Sequence, residues 1–259
     1  MKFAITALFA AALSFISAPP ASAEGHGSAL NEILDTGVLK VGTTGDWNPM
    51  SLRDPATNGY KGFDIDIMTE LAKDLGVKLE FVPTDWKTLV NGVVAGKYHL
   101  TGSASISPAR MKVAGFSESY ISVEIYPFTA GDAADKFDGW ESINQPGVKV
   151  ATTLGTTFEA NARKWFPNAE ITVVEAPARG YQEVLAGRAD VFITSNIEGA
   201  TLTEKFGVAR VANTEARSPA AIAMLMPQTD QVWINYVNNW VKIKKLQGFF
   251  EKTKAKWGL

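Results

Sequence analysis

Residues 37–44 read Gly37-Val38-Leu39-Lys40-Val41-Gly42-Thr43-Thr44, and this stretch decides the fold because the chain repeats it. The second copy reads Gly147-Val148-Lys149-Val150-Ala151-Thr152-Thr153. A further stretch, residues 94–103, is repeated in the same order at residues 185–195. The β-branched residues that alternate in these segments predict strands. Each half of the chain is therefore expected to run strand, loop, helix, strand.

The first half alternates helices with strands. Apolar residues recur at helical spacing over residues 64–75, a strand-like run follows at 78–82, and a second helical pattern covers 86–95. This alternation predicts parallel βαβ units. Ligands of open α/β sheets bind at the carboxyl ends of the strands, and two such lobes can close over a ligand by a hinge. We therefore predict an α/β protein with two lobes, each a mostly parallel sheet flanked by helices.

The repeat also predicts where the lobes divide. Residues 24–128 together with 222–259 are expected to form lobe 1, and residues 129–221 are expected to form lobe 2. The chain would then cross between the lobes twice. A strand-like run at 221–226 carries the second crossing.

The last long apolar pattern lies at residues 232–250 and is typical of a helix. Its apolar side chains, Trp233 and Leu246 among them, are expected to be core residues and not ligand contacts. The helix is expected to pack on lobe 1.

The first residues have the pattern of a secretory signal peptide. Lys2 supplies a basic start, residues 4–16 are apolar, and Ala21-Ser22-Ala23 matches a small-x-small cleavage site. We expect residues 1–23 to be removed and the mature chain to begin near Glu24. It would carry 24 basic and 27 acidic residues, a net charge of −3. This weak negative charge argues against binding to nucleic acid or to anionic membrane surfaces, and no later stretch predicts membrane insertion.

The composition restricts the chemistry of any site. The chain has no cysteine, which excludes disulfides, thiol catalysis and Cys-ligated metal sites. It has two histidines, His26 and His99, so a zinc site or a Ser-His-Asp triad would depend on His99 alone. We interpret His99 as a structural residue and expect no metal and no cofactor. We also expect a monomer.

One stretch of nine residues contains three hydroxyl groups and one guanidinium that could bind a ligand: Gly102-Ser103-Ala104-Ser105-Ile106-Ser107-Pro108-Ala109-Arg110. Small residues allow a ligand to approach the backbone, and Pro108 is well placed to open a helix whose N–H groups favour an anion. The Arg110 guanidinium can hold a carboxylate through two parallel hydrogen bonds. The alternative is an ordinary strand-to-helix turn with a surface arginine.

Several short motifs together resemble one known family, the bacterial family 3 solute-binding proteins. These are periplasmic receptors of ABC transporters for polar amino acids, built on the type II periplasmic-binding-protein fold. The motifs that carry the resemblance occur in order at Gly37–Thr43, Gly62–Asp66, Trp86, Ser103–Arg110 and Phe116–Tyr120. Residues 43–46, 83–86 and 145–148 also resemble the cyclohexadienyl dehydratases, which are exported enzymes with the same fold.

The resemblance implies a ligand-binding role for residues of both lobes. In the family, the serines and the arginine of the nine-residue stretch hold the α-carboxylate of the ligand, hydroxyls of lobe 2 add donors, and aromatic side chains form walls. The matching residues here are Trp47, Trp86, Ser103, Ser105, Arg110, Thr156 and Thr157. Two indoles could sandwich a planar or apolar ligand body.

Ser195 departs from the family pattern. Amino-acid receptors usually have an aspartate at this position, which pairs with the ligand ammonium. An unpaired buried ammonium would cost several kcal/mol. Either another carboxylate serves, with Asp46, Glu124 and Glu198 as candidates, or the ligand has no amine.

Glu198 raises the alternative of an enzyme. It matches the position of a glutamate that acts as general acid in the cyclohexadienyl dehydratases, and burial could raise its pKa enough for that role. A lysine of those enzymes is matched by Ile125 here, and their aspartate by Ser195. We therefore predict a periplasmic receptor without catalytic residues, which delivers a small carboxylate-bearing solute to an ABC permease. The alternative is an enzyme that resembles cyclohexadienyl or arogenate dehydratase, with Glu198 as general acid.

Overall fold

A computed structural model of the chain describes residues 27–259. The predicted signal peptide, residues 1–23, and His26 lie outside the described residues. Within residues 27–259, no helix combines the length and the apolar character needed to cross a bilayer.

The first part of the chain, up to residue 130, builds most of one lobe. Its elements are α1 (Ala29–Thr36), β1 (Val38–Thr43), β2 (Asp46–Trp47), β3 (Ser51–Arg53), β4 (Tyr60–Lys61), α2 (Phe63–Leu75), β5 (Lys78–Pro83), α3 (Leu89–Val94), β6 (Leu100–Ser105), α4 (Pro108–Met111), β7 (Ala114–Phe116) and β8 (Ile121–Ala130).

The rest of the chain builds the other lobe and then returns. A 3₁₀ helix (Gly131–Lys136) is followed by β9 (Lys149–Thr153), α5 (Thr157–Trp165), β10 (Glu170–Val174), α6 (Gly180–Leu185), β11 (Val191–Ser195), α7 (Asn196–Phe206), β12 (Val208–Arg210), β13 (Arg217–Pro227), α8 (Gln231–Leu246) and α9 (Phe249–Trp257).

One ten-stranded sheet runs through both lobes in the order β10-β9-β11-β8-β13-β6-β1-β5, with β12 beside β8 and β7 beside β13. At one end β1 pairs in parallel with β5 and β6, and at the other end β9 pairs in parallel with β10 and β11. The two long strands β8 and β13 join these halves and pair antiparallel with each other and with their neighbours. The predicted α/β fold, with mostly parallel strands flanked by helices in each lobe, is confirmed, and β8 and β13 join the two sets of parallel strands into one sheet.

Each lobe has its own hydrophobic core. The lobe 1 core gathers buried side chains of α1, α2, α8 and α9 around β1 and β6, with Phe63 and Trp233 among its largest members. The lobe 2 core is built around Ile143, Phe166 and Ile193. The predicted lobe boundaries after residues 128 and 221 lie inside the continuous strands β8 and β13, which run from one lobe into the other. No break in the chain marks these two positions, so the boundaries stay predictions.

The C-terminal helix differs from its prediction. The structure divides the predicted helix into α8 and α9 at Gly248, which adopts the left-handed φ of 69° that ends α8 and redirects the chain. Trp233 is fully buried, but Leu246 is 83% exposed, so the expectation that Leu246 is a core residue was wrong. Apolar spacing along a helix does not show whether a side chain of its last turn is buried or exposed.

Trp233 and Leu246 give a matched test of this packing on one helix. The Trp233 indole N–H donates to the His99 carbonyl at 3.1 Å inside the lobe 1 core. We expect Trp233→Ala to lower the free energy of unfolding by about 3–5 kcal/mol, because it leaves a large cavity. Leu246→Ala should change it by less than about 0.5 kcal/mol. Urea unfolding followed by circular dichroism measures both, and equal effects would contradict this packing.

Candidate ligand-binding site

Arg110 lies in the cleft between the lobes, at the end of β6 in lobe 1. The Ser107 hydroxyl caps the short helix α4 by accepting from the Arg110 N–H, and Pro108 occupies the first helical position. The Arg110 guanidinium turns back and donates to the Ser105 carbonyl at 3.2 Å and to the Gly155 carbonyl of lobe 2 at 3.4 Å. Burial lowers the pKa of Arg110 to about 10, so the buried guanidinium is still charged at neutral pH.

Ser103 and Ser105 both lie on β6, and they line the same cavity as Arg110 of α4. Ser103 has a φ of 56°, in the left-handed region, and its buried hydroxyl has no hydrogen-bond partner. The Ser105 hydroxyl meets the Thr157 hydroxyl of lobe 2 at 3.5 Å. The structure therefore brings the three predicted residues of the cradle together, and Thr157 reaches them from the other lobe.

The lobe 2 side of the cleft is the start of α5. Thr156 caps this helix: its hydroxyl accepts from the Glu159 N–H at 3.2 Å and donates to the Thr153 carbonyl at 2.7 Å. A Cβ at Gly155 would lie 2.5 Å from the Lys87 Cα of lobe 1, so the two backbones touch here and only a glycine fits. The lobes are in contact at this edge.

The side chains of Trp47 and Trp86 are in direct contact and do not lie on opposite sides of a gap. The Trp47 and Trp86 rings are 6.0 Å apart and inclined by 78°, an edge-to-face contact. The idea that they sandwich a planar ligand is therefore not supported by this geometry. The Trp86 indole N–H donates to both oxygens of Asp46, at 3.0 and 3.1 Å, whereas the buried Trp47 N–H has no partner.

Arg179, which the sequence analysis did not single out, crosses the cleft from lobe 2. It is buried, and its Nη1 lies 3.0 Å from the Asp46 carboxylate and 2.9 Å from the Asp46 carbonyl. Its Nη2 donates to both carboxylate oxygens of Glu198 at 2.9 Å. One guanidinium thus holds a carboxylate from each lobe.

The charged groups of this cluster shift each other's pKa values. Burial alone would lower the pKa of Arg179, but the charges of Glu198 and Asp46 outweigh it and raise the pKa. Burial raises the pKa of Glu198, against the opposing effects of Arg179 and of the Thr194 hydroxyl, which donates to its Oε2. Glu198 is therefore a counterion of Arg179 held under a desolvation penalty.

Two further predicted residues lie outside the cavity. Ser195 is fully buried and caps α7, because its hydroxyl accepts from the Glu198 N–H at 3.2 Å. Glu124 is exposed on β8, where its carboxylate accepts from the Tyr126 hydroxyl. Neither side chain reaches the space between the lobes.

The cavity between the lobes has a volume of about 20 Å³ and is lined by Trp47, Trp86, Ser103, Ser105, Arg110, Thr156, Thr157, Phe158 and Arg179. Five of these residues also line a wider groove of about 640 Å³ beside α4, α5 and residues 218–220 of β13. Among residues 27–259, no acidic side chain lines the cavity, and no group of three His, Cys, Asp or Glu side chains is arranged to hold a metal ion. Two guanidinium groups and free N–H and O–H donors therefore dominate its chemistry.

The sequence analysis missed two lining residues, Arg179 and Phe158 of α5, and only Arg179 had a signal in the sequence. Trp86 lies in the loop between β5 and α3, and Arg179 lies in the corresponding loop between β10 and α6 of the second half. The repeat therefore indicated which loop of lobe 2 faces the cleft. It did not indicate which side chain of that loop enters it.

Comparisons with known proteins agree with this architecture. The sequence pattern of the bacterial extracellular solute-binding proteins, family 3, matches residues 39–259. Cyclohexadienyl dehydratase of Pseudomonas aeruginosa is 33% identical over 240 residues, which cover 92% of this chain and 88% of that protein. The L-cystine-binding protein TcyA of Bacillus subtilis is 25% identical, over 87% of this chain and 82% of its own.

A solved structure is also similar. The ancestral amino acid-binding protein AncCDT-1, described as a precursor of cyclohexadienyl dehydratase, is 38% identical, superposes with a TM-score of 0.81, and covers 89% of this chain and 99% of its own. The match of the family pattern spans both lobes and both hinge strands, β8 and β13. This chain therefore belongs to the bacterial extracellular solute-binding proteins of family 3.

Proposed function

We propose that this protein is a periplasmic receptor that closes on a small carboxylate-bearing solute, a polar amino acid or a related organic acid, and delivers it to an ABC permease. The observation that carries the proposal is the cavity between the lobes, where Arg110 and two unpartnered donors converge. Relatives that bind amino acids, such as the L-cystine-binding protein, support the class of function.

The charge of the cavity favours an anion. The Arg110 guanidinium donates to two carbonyls, and no acidic side chain of the described residues pairs with it. A buried cation without a counterion is costly, so a ligand carboxylate would relieve the desolvation of Arg110. The Ser103 hydroxyl and the Trp47 N–H, both buried without a partner, can complete the hydrogen bonds of that carboxylate.

The same geometry bears on the amine of the ligand. Asp46 and Glu198 are each engaged by Arg179, and Ser195 is engaged as a helix cap. An ammonium group in the cavity would have to compete with Arg179 and Trp86 for the Asp46 carboxylate. The arrangement therefore favours an organic acid without an amine over an α-amino acid.

A second candidate function is that of a dehydratase similar to the relative from Pseudomonas aeruginosa. Glu198 is buried and has a raised pKa, as a general acid requires. However, both its oxygens accept from Arg179, and Arg179 rather than Glu198 lines the cavity. A general acid must come within hydrogen-bond reach of the leaving group, so this arrangement favours the receptor.

A thermal-shift screen tests the carboxylate site. The panel pairs each amino acid with its keto acid, L-phenylalanine with phenylpyruvate and L-glutamate with 2-oxoglutarate, and adds L-arginine and L-cystine. A ligand at a hundred times its Kd should add about 2.7 kcal/mol to the free energy of unfolding. We expect at least one carboxylate to raise the melting temperature, with the keto acid of a pair binding at least as tightly as the amino acid.

Arg110→Ala should raise the Kd of the carboxylate found in the thermal-shift screen by at least about 30-fold, because the loss of one partner of a buried, hydrogen-bonded charge pair costs about 2–5 kcal/mol. The matched control is Arg188→Ala, which removes an exposed guanidinium of lobe 2 that pairs with Glu183. Titration calorimetry gives both values. Unchanged binding in Arg110→Ala would refute the carboxylate site.

An activity assay separates the two candidates. We expect no conversion of prephenate to phenylpyruvate, or of arogenate to phenylalanine, above the rate without protein, because Glu198 is held behind Arg179. The product is followed by absorbance or by chromatography. Turnover by the wild type that is lost in Glu198→Gln would establish the dehydratase and overturn the receptor.

A further inference from the structure

A buried carboxyl group lies directly beneath the ligand cradle of lobe 1. Asp64 is the second residue of α2 and is only 4% exposed. A Cβ built on Gly102 would lie 3.1 Å from the Asp64 Oδ2, so the carboxyl packs against the strand that carries Ser103. The proposed ligand contacts do not include Asp64.

A chain of two hydrogen bonds connects this carboxyl to the cradle. The Tyr120 hydroxyl donates to the Asp64 Oδ1 at 2.8 Å and accepts from the Ser103 N–H at 3.0 Å. All three residues are buried. The Ser103 N–H therefore points away from the cleft, which agrees with its left-handed φ of 56° and leaves the hydroxyl as the Ser103 donor for a ligand.

Two polar atoms at this place have no partner. The Asp64 Oδ2 and the Ser103 Oγ are both buried and unpaired. Both residues line one small internal cavity of about 10 Å³, and Ser103 also lines the cavity between the lobes. Ser103 and Trp86 border both spaces, and of these two Ser103 is the one hydrogen-bonded to the Tyr120 hydroxyl that holds Asp64.

Among residues 27–259, no cation pairs with the Asp64 carboxyl. Burial raises its pKa to about 7, against the smaller opposing effect of the hydrogen bond from Tyr120. The charged side chains of the elements packed on α2 are exposed or partly exposed: Arg53, Lys61, Lys78, Glu80, Glu251, Lys252, Lys254 and Lys256. The Tyr60 hydroxyl of β4 is buried, but it is not hydrogen-bonded to Asp64. Tyr120 is the one titratable group in contact with Asp64 among the described residues.

We infer that Asp64 is a proton-sensitive positioning residue that controls how strongly the cradle around Ser103 holds a ligand carboxylate. When Asp64 is ionised, a buried negative charge lies behind the cradle, one hydroxyl group away from the Ser103 backbone, and opposes the binding of an anion there. When Asp64 is protonated, this opposing charge is absent. Ligand binding then takes up one proton at Asp64. This inference depends on the proposed carboxylate site.

The direction of the pH effects follows from linkage. A carboxyl whose pKa is higher in the folded than in the unfolded state binds more protons when folded. Its contribution therefore makes the protein less stable as pH rises from about 4 to about 7. Ligand affinity is expected to be constant at pH values well below the pKa of Asp64. It should fall as pH rises through neutrality, because the ionised form of Asp64 must take up a proton when the ligand binds.

The experiment compares wild type with Asp64→Asn, Tyr120→Phe and the control Asp66→Asn. Asp66 lies on the same helix, but its carboxylate pairs at the surface with Lys256 and Trp257. The probes are 2-oxoglutarate, phenylpyruvate and L-arginine, titrated by calorimetry at pH 6, 7 and 8 in two buffers of different ionisation enthalpy. The chemical shift of the Asp64 carboxyl carbon is followed by NMR in ligand-free protein.

We expect the Kd of the bound probe to rise about tenfold between pH 6 and pH 8 in wild type and in Asp66→Asn, with uptake of about half a proton at pH 7. Asp64→Asn should bind without this pH dependence, because an amide does not ionise and no negative charge develops behind the cradle at any of these pH values. Should that variant not fold, Tyr120→Phe provides the second test: it should weaken binding at pH 6, because the Ser103 N–H loses its acceptor.

The possible failures are distinct. Binding by wild type that does not depend on pH, or an Asp64 carbon that titrates below pH 5, overturns this inference and leaves the proposed receptor standing. Retention of the pH dependence in Asp64→Asn also overturns it. Absence of binding of every probe at pH 6, where the cradle should be competent, overturns the carboxylate site and this inference together.

Discussion

The buried guanidinium of Arg179 is the interaction on which the arrangement of the lobes depends. Transfer of such a cation from water into the interior costs several kcal/mol, which its partners must offset. Glu198 of lobe 2 supplies one partner and Asp46 of lobe 1 supplies the other, at 2.9 and 3.0 Å. Because the second partner belongs to the opposite lobe, the low-energy position of Arg179 exists only while the lobes touch. Opening would break the Asp46 pair, whereas the pair between Arg179 and Glu198, both of lobe 2, would remain. A ligand that binds the closed arrangement more tightly than the open one shifts the equilibrium toward closure.

Hydroxyl groups have two different tasks in this cleft. Ser107, Thr156 and Ser195 all cap helices, and their oxygens accept from backbone N–H groups three residues further along. Ser103 lies in a strand with a left-handed backbone, has no cap to make and keeps its hydroxyl free. The residue type is the same, but the backbone geometry decides which hydroxyl can serve a ligand. Lobe 1 therefore supplies most of the free donors, and lobe 2 contributes closure and charge balance.

Much of the fold could be predicted from short-range patterns. The strand at Val38–Thr43 and the helix that ends before Gly76 have the expected bounds, because alternation and a glycine stop are local signals. The proximity of Ser103, Ser105 and Arg110 could also be predicted, since they lie within eight residues of each other in the sequence. The division of the last helix at Gly248 could not, because apolar spacing continues through it. Arg179 could not be predicted either, since its backbone acceptor on Asp46 is 133 residues away in sequence.

The sequence by itself determined the two-lobe α/β architecture and the proximity of Ser103 and Arg110 at the end of one strand, because periodicity, repeats and local motifs act over a few residues. Only the tertiary structure decided which charged side chains pair with each other. It brought Asp46 and Glu198 to one guanidinium, turned the two tryptophans edge to face, and placed Asp64 behind Ser103. The physical reason is that electrostatic and desolvation energies depend on distance and burial in space, and neither quantity is written in the spacing of residues along the chain.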